Sequence, residues 1–229
     1  MTRKRRTILA LSLAAGLWLQ GATEVCATST LHRNIVELTA LSEQIVVGSI
    51  VSVSDGIENQ IPYTEITIEV REALKGDWRG QITFRQFGLQ KPRLMPAGQV
   101  NLNVSPQGWP RYQNNEEVIL FLYKPAELTG LRTTTGLLQG KFNIEGDKLA
   151  NAIDNVGLFR GVSEAPDSLT PAESDLLTIE RGPVDVKAFV SLVRKIVRSG
   201  PASPGATSRE RPHPRSSAGG RREGHRLVR

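Results

Sequence analysis

Residues 63–74 alternate without a break: Thr64, Ile66, Ile68 and Val70 fall on one side, and Glu65, Thr67, Glu69 and Arg71 on the other. A helix would scatter both sets around its circumference, whereas a strand sends successive side chains to opposite faces. The segment therefore reads as a strand with one buried and one wetted face. Such a face is stable only when other elements cover it, so the chain must build a sheet around an apolar interior.

Further strands follow from the same logic. Residues 45–53 are rich in β-branched side chains and run into Asp55-Gly56, a turn signal that predicts the end of the first strand. Lys75-Gly76-Asp77 turns the chain into residues 81–87, where Ile82, Phe84 and Gln86 share a side. Residues 118–123 are continuously apolar and predict a central strand. Residues 131–138 and 141–144 are two more strand candidates, interrupted at Gly136 and Gly140, and Glu145-Gly146-Asp147-Lys148 turns the latter back into 149–151. Between these lie residues 88–115, where Pro92, Pro96, Pro106, Pro110 and three glycines break regular pairing. This predicts a long surface loop, of the kind that often carries binding.

Two helices flank the strands. Thr30 is placed to cap a short first helix with Ile35, Leu38 and Leu41 near one face and Val36 beside them. Val186, Phe189, Val190, Val193, Ile196 and Val197 recur at helical spacing, with Asp185 at the start and Arg194, Lys195 and Arg198 at the end, where the macrodipole favours them. The expected class is mainly β with flanking helices: one domain over 28–198, with five or six strands.

Arg3, Lys4, Arg5 and Arg6 precede an apolar run at 8–19 and the sequence Val25-Cys26-Ala27, the layout of a secretory signal peptide cut after Ala27. The run is shorter than a membrane span requires. An exported protein, periplasmic or secreted, without a transmembrane segment after processing is therefore expected. Cys26 is the only cysteine and leaves with the leader, so neither disulfides nor thiolate metal sites are expected. The basic balance also sits outside the domain: residues 28–198 hold 18 basic and 20 acidic side chains, and residues 199–229 hold seven arginines against two glutamates. A nucleic-acid groove in the core is not expected. The Pro, Gly, Ser and Arg-rich tail at 199–229 reads as disordered, either an inert solubiliser or a contact for anionic surfaces.

Catalytic residue types are scarce. His32 is the one histidine before the tail, and no Gly-x-Ser-x-Gly elbow exists, which argues against a serine hydrolase. Glu116 and Glu117 are adjacent, and neighbours on a strand face opposite ways, so they make a poor carboxylate pair. Glu145, Asp147 and Asp154 match no calcium loop, and a hairpin turn explains the first two. No catalytic residue, cofactor or metal is expected. Trp109, Tyr112, Arg111 and Trp78 are the candidate partner contacts, because large aromatics and arginine anchor interfaces; local packing is the competing role for the aromatics.

Four features occur in one order: the 45–53 strand, the 63–74 strand closing on Leu74-Lys75-Gly76, the run Glu116-Glu117-Val118-Ile119-Leu120-Phe121-Leu122, and Gly140-Lys141-Phe142. In this the chain resembles a group of uncharacterised bacterial exported proteins and, more distantly, the netrin-like OB-fold domain of the tissue inhibitors of metalloproteinases, over residues 35–145. The resemblance implies a five-stranded Greek-key barrel with packed helices, a fold used mostly for binding. The inhibitors use a Cys-x-Cys pair, and this chain has Cys26-Ala27-Thr28, so their chemistry does not carry over. The expected function is a non-catalytic exported module that binds a protein, a protease or an envelope partner. A carboxylate-dependent hydrolase and an envelope structural or assembly protein are the alternatives.

Overall fold

Nine short or long strands and three helices emerge from these patterns in the computed structural model, which describes residues 31–94, 100, 101, 104–162 and 168–200. Residues 1–27, where a leader and its cleavage site are expected, Thr30 and the residues beyond Gly200 lie outside the described residues. In chain order the elements are α1 (Ile35–Leu41), β1 (Gln44–Glu58), β2 (Ile61–Lys75), β3 (Gly80–Phe87), β4 (Arg93–Leu94), β5 (Val100–Asn101), β6 (Glu117–Leu122), β7 (Lys141–Glu145), β8 (Lys148–Asn151), α2 (Pro171–Leu176), β9 (Val184–Asp185) and α3 (Val186–Ser199). Seven strands form one antiparallel sheet in the order β3-β2-β1-β6-β7-β8-β9, and β4 and β5 pair separately. The main sheet therefore has seven strands rather than five or six.

Two apolar clusters explain this arrangement. Thr64, Ile66, Ile68 and Val70 are all buried, as the alternation of β2 requires. Ile66, Ile68 and Val70 join Val46, Ile50, Phe84, Tyr112, Val118, Leu120 and Leu122 in one cluster. Ile45, Val47, Ile119 and Phe121 join Phe142, Leu149 and the apolar faces of α1 and α3 in the other. β1 and β6 thus bury both faces, so residues 118–122 are continuously apolar where β2 alternates. Phe121, Phe142 and Phe189 pack ring against ring, with centroids 5.0–6.3 Å apart, and lock α3 onto the sheet.

Several expectations need correction. The first strand does not stop at Asp55-Gly56; it runs to Glu58 and reverses at Asn59-Gln60, both at positive φ (49° and 66°), as a two-residue hairpin turn of the primed kind requires. Asp55 instead accepts hydrogen bonds from the backbone N–H of Gln90 at 2.9 Å and from the Thr64 hydroxyl at 3.1 Å, which anchors the start of the long loop. That loop is only partly a surface feature, since Leu89, Ser105, Pro110 and Tyr112 are buried and β4 pairs with β5 inside it. Asn34 is the helix cap of α1, in a reciprocal capping box with Glu37, and Leu41 is exposed. α2, capped in the same way by Thr170 and Glu173, and β9 are additions to the expected elements.

Residues 131–138 form no regular strand, yet they close the sheet locally. The Tyr123 N–H donates to the Thr133 carbonyl at 3.1 Å, and the Thr135 N–H donates to the Phe121 carbonyl at 2.7 Å, both on β6 or its end. On the opposite side, the Arg132 N–H donates to the Arg85 carbonyl on β3 at 2.9 Å. A 3₁₀ turn over Leu137–Gly140 then delivers the chain into β7.

Candidate functional site

Phe87 ends β3 on the side opposite Phe84 and Gln86, and is one of the few large apolar residues at the surface, with 37% of its area exposed. Its ring meets that of Trp109 edge-on, with centroids 6.3 Å apart. Around this pair lie Ile61, Tyr123, Ala126, Thr129, Leu131 and Thr133, which enclose a groove of about 520 Å³ with an almost wholly apolar lining. Lys124 and Arg132 supply its cationic members, and its described lining contains no carboxylate. Leu128, at the tip of the adjoining loop, is 99% exposed. Hydrogen bonds from Ala126 N–H to Leu131 carbonyl and from Gly130 N–H to Ala126 carbonyl, both 2.8 Å, hold that tip in shape.

The backbone beside the groove has a definite polarity. Gly88 N–H donates to the Pro62 carbonyl of β2, while the Arg85 carbonyl is turned away from β2 toward Arg132. Backbone groups alternate along an antiparallel strand, so Gln81, Thr83 and Phe87 share Arg85's outward sense.

Trp109 also borders a second, smaller pocket of about 330 Å³, lined by Pro110, Arg111, Glu116, Leu138, Lys141, Asn143 and Ala152. Lys141 is 8% exposed there; its ammonium donates to Glu116 Oε2 at 2.7 Å and lies 5.3 Å from the centroid of the Tyr112 ring. Burial lowers the Lys141 pKa from its ordinary value, and the hydrogen bond and charge of Glu116 oppose that shift. Arg111 is exposed and donates from one guanidinium nitrogen to the Gln90 carbonyl at 2.9 Å.

The four candidate contacts separate in space. Trp109 and Arg111 line the surface pockets. Tyr112 is 1% exposed inside the core, edge-on to Phe84 at 6.0 Å, and burial pushes its hydroxyl far above the ordinary range with the Glu116 charge adding to the effect. Trp78 is half-buried against Phe84 at 6.1 Å, with the Arg132 guanidinium over its ring at 4.9 Å. Sequence reasoning missed Phe87, Leu131, Leu128 and Lys141. The signal for Phe87 was an aromatic on the wet side of an alternating strand, and for Leu128 a leucine inside the turn-rich run 124–130.

Three of the other chemical candidates are engaged in ion pairs. Glu116 pairs with Lys141, and Glu117 forms an ion pair with Arg71. Asp154 pairs with Arg181 at 3.1 Å, and the Asp147 carbonyl accepts from Val186 N–H at 2.9 Å. Among the described residues no three His, Cys, Asp or Glu side chains converge as metal ligands, and no helix is long and apolar enough to cross a membrane. No protein-family model, curated protein or solved structure matches the chain.

Proposed function

We propose that this is a non-catalytic exported binding module that holds an extended, apolar segment of a protein partner. The observation that carries the reading is the Phe87–Trp109 groove, an apolar concavity beside an outward-facing strand backbone. Arg132 takes the outward Arg85 carbonyl, so the outward main-chain groups of Phe87 beside it would supply hydrogen bonds to an extended segment, and the groove would take its side chains, the division of labour in strand addition. The fully exposed Leu128 extends the same apolar surface beyond the groove. Burying one aromatic or aliphatic side chain there contributes about 1.5–3 kcal/mol, enough for recognition when two or three are engaged.

The finer architecture belongs to the same proposal. Three hairpin-connected strands with a fourth returning by a long connection to lie beside the first constitute a Greek key. The order β6-β1-β2-β3, with residues 88–116 as the return, supports that reading, and the bridge through Arg132–Thr135 supports a partly open OB-type barrel. The leader at 1–27 supports export. A carboxylate-dependent hydrolase would need two acids facing one substrate, whereas Glu116 and Glu117 are engaged by Lys141 and Arg71.

Removing residues 88–115 would be a poor test, because Leu89, Pro110 and Tyr112 belong to the interior. Point substitutions in the groove avoid this. A random displayed-peptide library selected on the full chain is expected to yield sequences with spaced apolar residues that lose binding to Phe87→Ser and Trp109→Ser. Peptides that bind both variants as well as the unaltered protein would refute the groove as the binding surface.

A further inference from the structure

We infer that the Lys141 pocket, which shares the Trp109 wall with the apolar groove, is a carboxylate-binding site suited to a small organic acid or chain terminus carrying an apolar body. Its volume of about 330 Å³ lies at the lower end of the range for small-molecule sites. Its formal charge is net positive, with Arg111 and Lys141 against Glu116. Lysine carries three N–H donors, and Lys141 gives one of them to Glu116. Arg111 gives one nitrogen to Gln90, leaving the rest of its donor fork uncommitted among the described residues. The Asn143 side chain is exposed at the same pocket and adds an amide. Donors therefore outnumber acceptors, and a ligand that completes the set must be rich in acceptors and negative.

The remaining walls choose among anions. Trp109, Pro110, Leu138 and Ala152 place apolar surface next to the cations, which a bare inorganic oxyanion would leave wet. A carboxylate with an attached ring or aliphatic group satisfies both parts. Glu116 holds Lys141 in place and is itself held, accepting from the Gln113 N–H at 3.0 Å. The buried ammonium is thus positioned before any ligand arrives, which reduces the ordering cost of binding.

The test is an amide chemical-shift titration of the full chain with benzoate, N-acetylphenylalanine, N-acetylphenylalaninamide and inorganic sulfate. Benzoate and N-acetylphenylalanine are expected to give saturable shifts centred on Arg111, Lys141 and Asn143, while the amide gives none there. A preference for benzoate indicates a free acid and a preference for the acetylated amino acid indicates a chain terminus; either supports the carboxylate assignment. Arg111→Gln, at an exposed position, is expected to weaken binding roughly tenfold or more. The double substitution Lys141→Met with Glu116→Gln leaves the pocket's net charge unchanged and is expected to abolish binding in a protein that retains its folded spectrum. Leu131→Ser, which lines the groove and not this pocket, is expected to leave these shifts intact, so failure here and failure of the groove are distinguishable. Equal binding of the acid and its amide, tighter binding of sulfate, or unchanged affinity in Arg111→Gln would overturn the assignment.

Discussion

Gln86 Nε2 donates to the carbonyl of Pro110 at 3.0 Å, a buried link between β3 and the residue that follows Trp109. The same side chain accepts from the Thr133 hydroxyl at 3.1 Å, so one amide ties the long loop and the closing segment to the sheet. Both walls of the groove depend on it. Gln86→Leu keeps the volume and leaves the buried Pro110 carbonyl and the half-buried Thr133 hydroxyl without this partner, at about 1–3 kcal/mol for a buried group. The expected result is a lower urea midpoint together with faster hydrogen exchange at Trp109 and Arg132. Unaltered exchange at both amides would show that the loop is held by other contacts.

Gly140 is required by close approach of the backbone. A Cβ there would lie 2.2 Å from the Thr135 carbonyl oxygen, and backbone cannot yield as a flexible side chain can. Gly140→Ala is predicted to cost about 1–3 kcal/mol, the range for overpacking. Gly146→Ala provides the comparison: its φ is +63°, in a turn where an added Cβ meets open space. Calorimetry should show a drop in Tm for Gly140→Ala with loss of the Arg132 amide's exchange protection. For Gly146→Ala that protection should remain, whatever the strain costs in Tm.

Glu173 fastens α2 to α3. Its carboxylate accepts from the Thr170 N–H at 2.7 Å, the Ser191 hydroxyl at 2.6 Å and the Lys195 ammonium at 2.5 Å. Burial alone would raise its pKa, but these hydrogen bonds win and bring it down from 4.5 to about 2. A carboxylate depressed in the folded state stabilises fully above its unfolded value and loses that contribution as pH falls from about 4.5 toward 2. Glu173→Gln should therefore lower Tm at pH 7 and flatten the fall of Tm through that acid window. Parallel curves for the two proteins would contradict the assigned role.

The Lys141–Glu116 pair makes a prediction at the other end of the pH scale. Removing one partner of a buried pair leaves the other charge uncompensated and costs about 3–5 kcal/mol, whereas replacing both is milder. Lys141→Met should be much less stable than Lys141→Met with Glu116→Gln in chemical denaturation. Lys141 is held below its ordinary 10.5, so at alkaline pH the unfolded chain binds more protons than the folded one. Its contribution to stability therefore rises with pH from its lowered value up to about 10.5, and the double variant should lack that rise.

The buried side of β2 and the amphipathic α3 were legible because burial of one face leaves a strict period, and β6 because burial of both faces leaves a short unbroken apolar run. The end of β1 was not, since Asp55-Gly56 has turn composition and the actual reversal at Asn59-Gln60 lacks the usual glycine. Residues 131–135 carry strand-like composition and form bridges rather than a ladder, an outcome fixed by neighbours distant in sequence. Trp109 and Arg111, chosen by type, border surface pockets, but Tyr112, chosen on the same ground, is core. What separates them is which way the loop turns, and that depends on Gln86 and Asp55, far from the loop in sequence.

The groove can be tested by the affinity of one selected apolar peptide, measured by fluorescence anisotropy against the unaltered full chain, Phe87→Ser, Leu131→Ser and, on the wetted face of β2, Thr67→Ser. Binding is predicted to weaken at least about tenfold in the first two variants, as loss of a buried apolar contact requires, and to be unchanged in the third. Equal affinity across all four proteins would contradict the account.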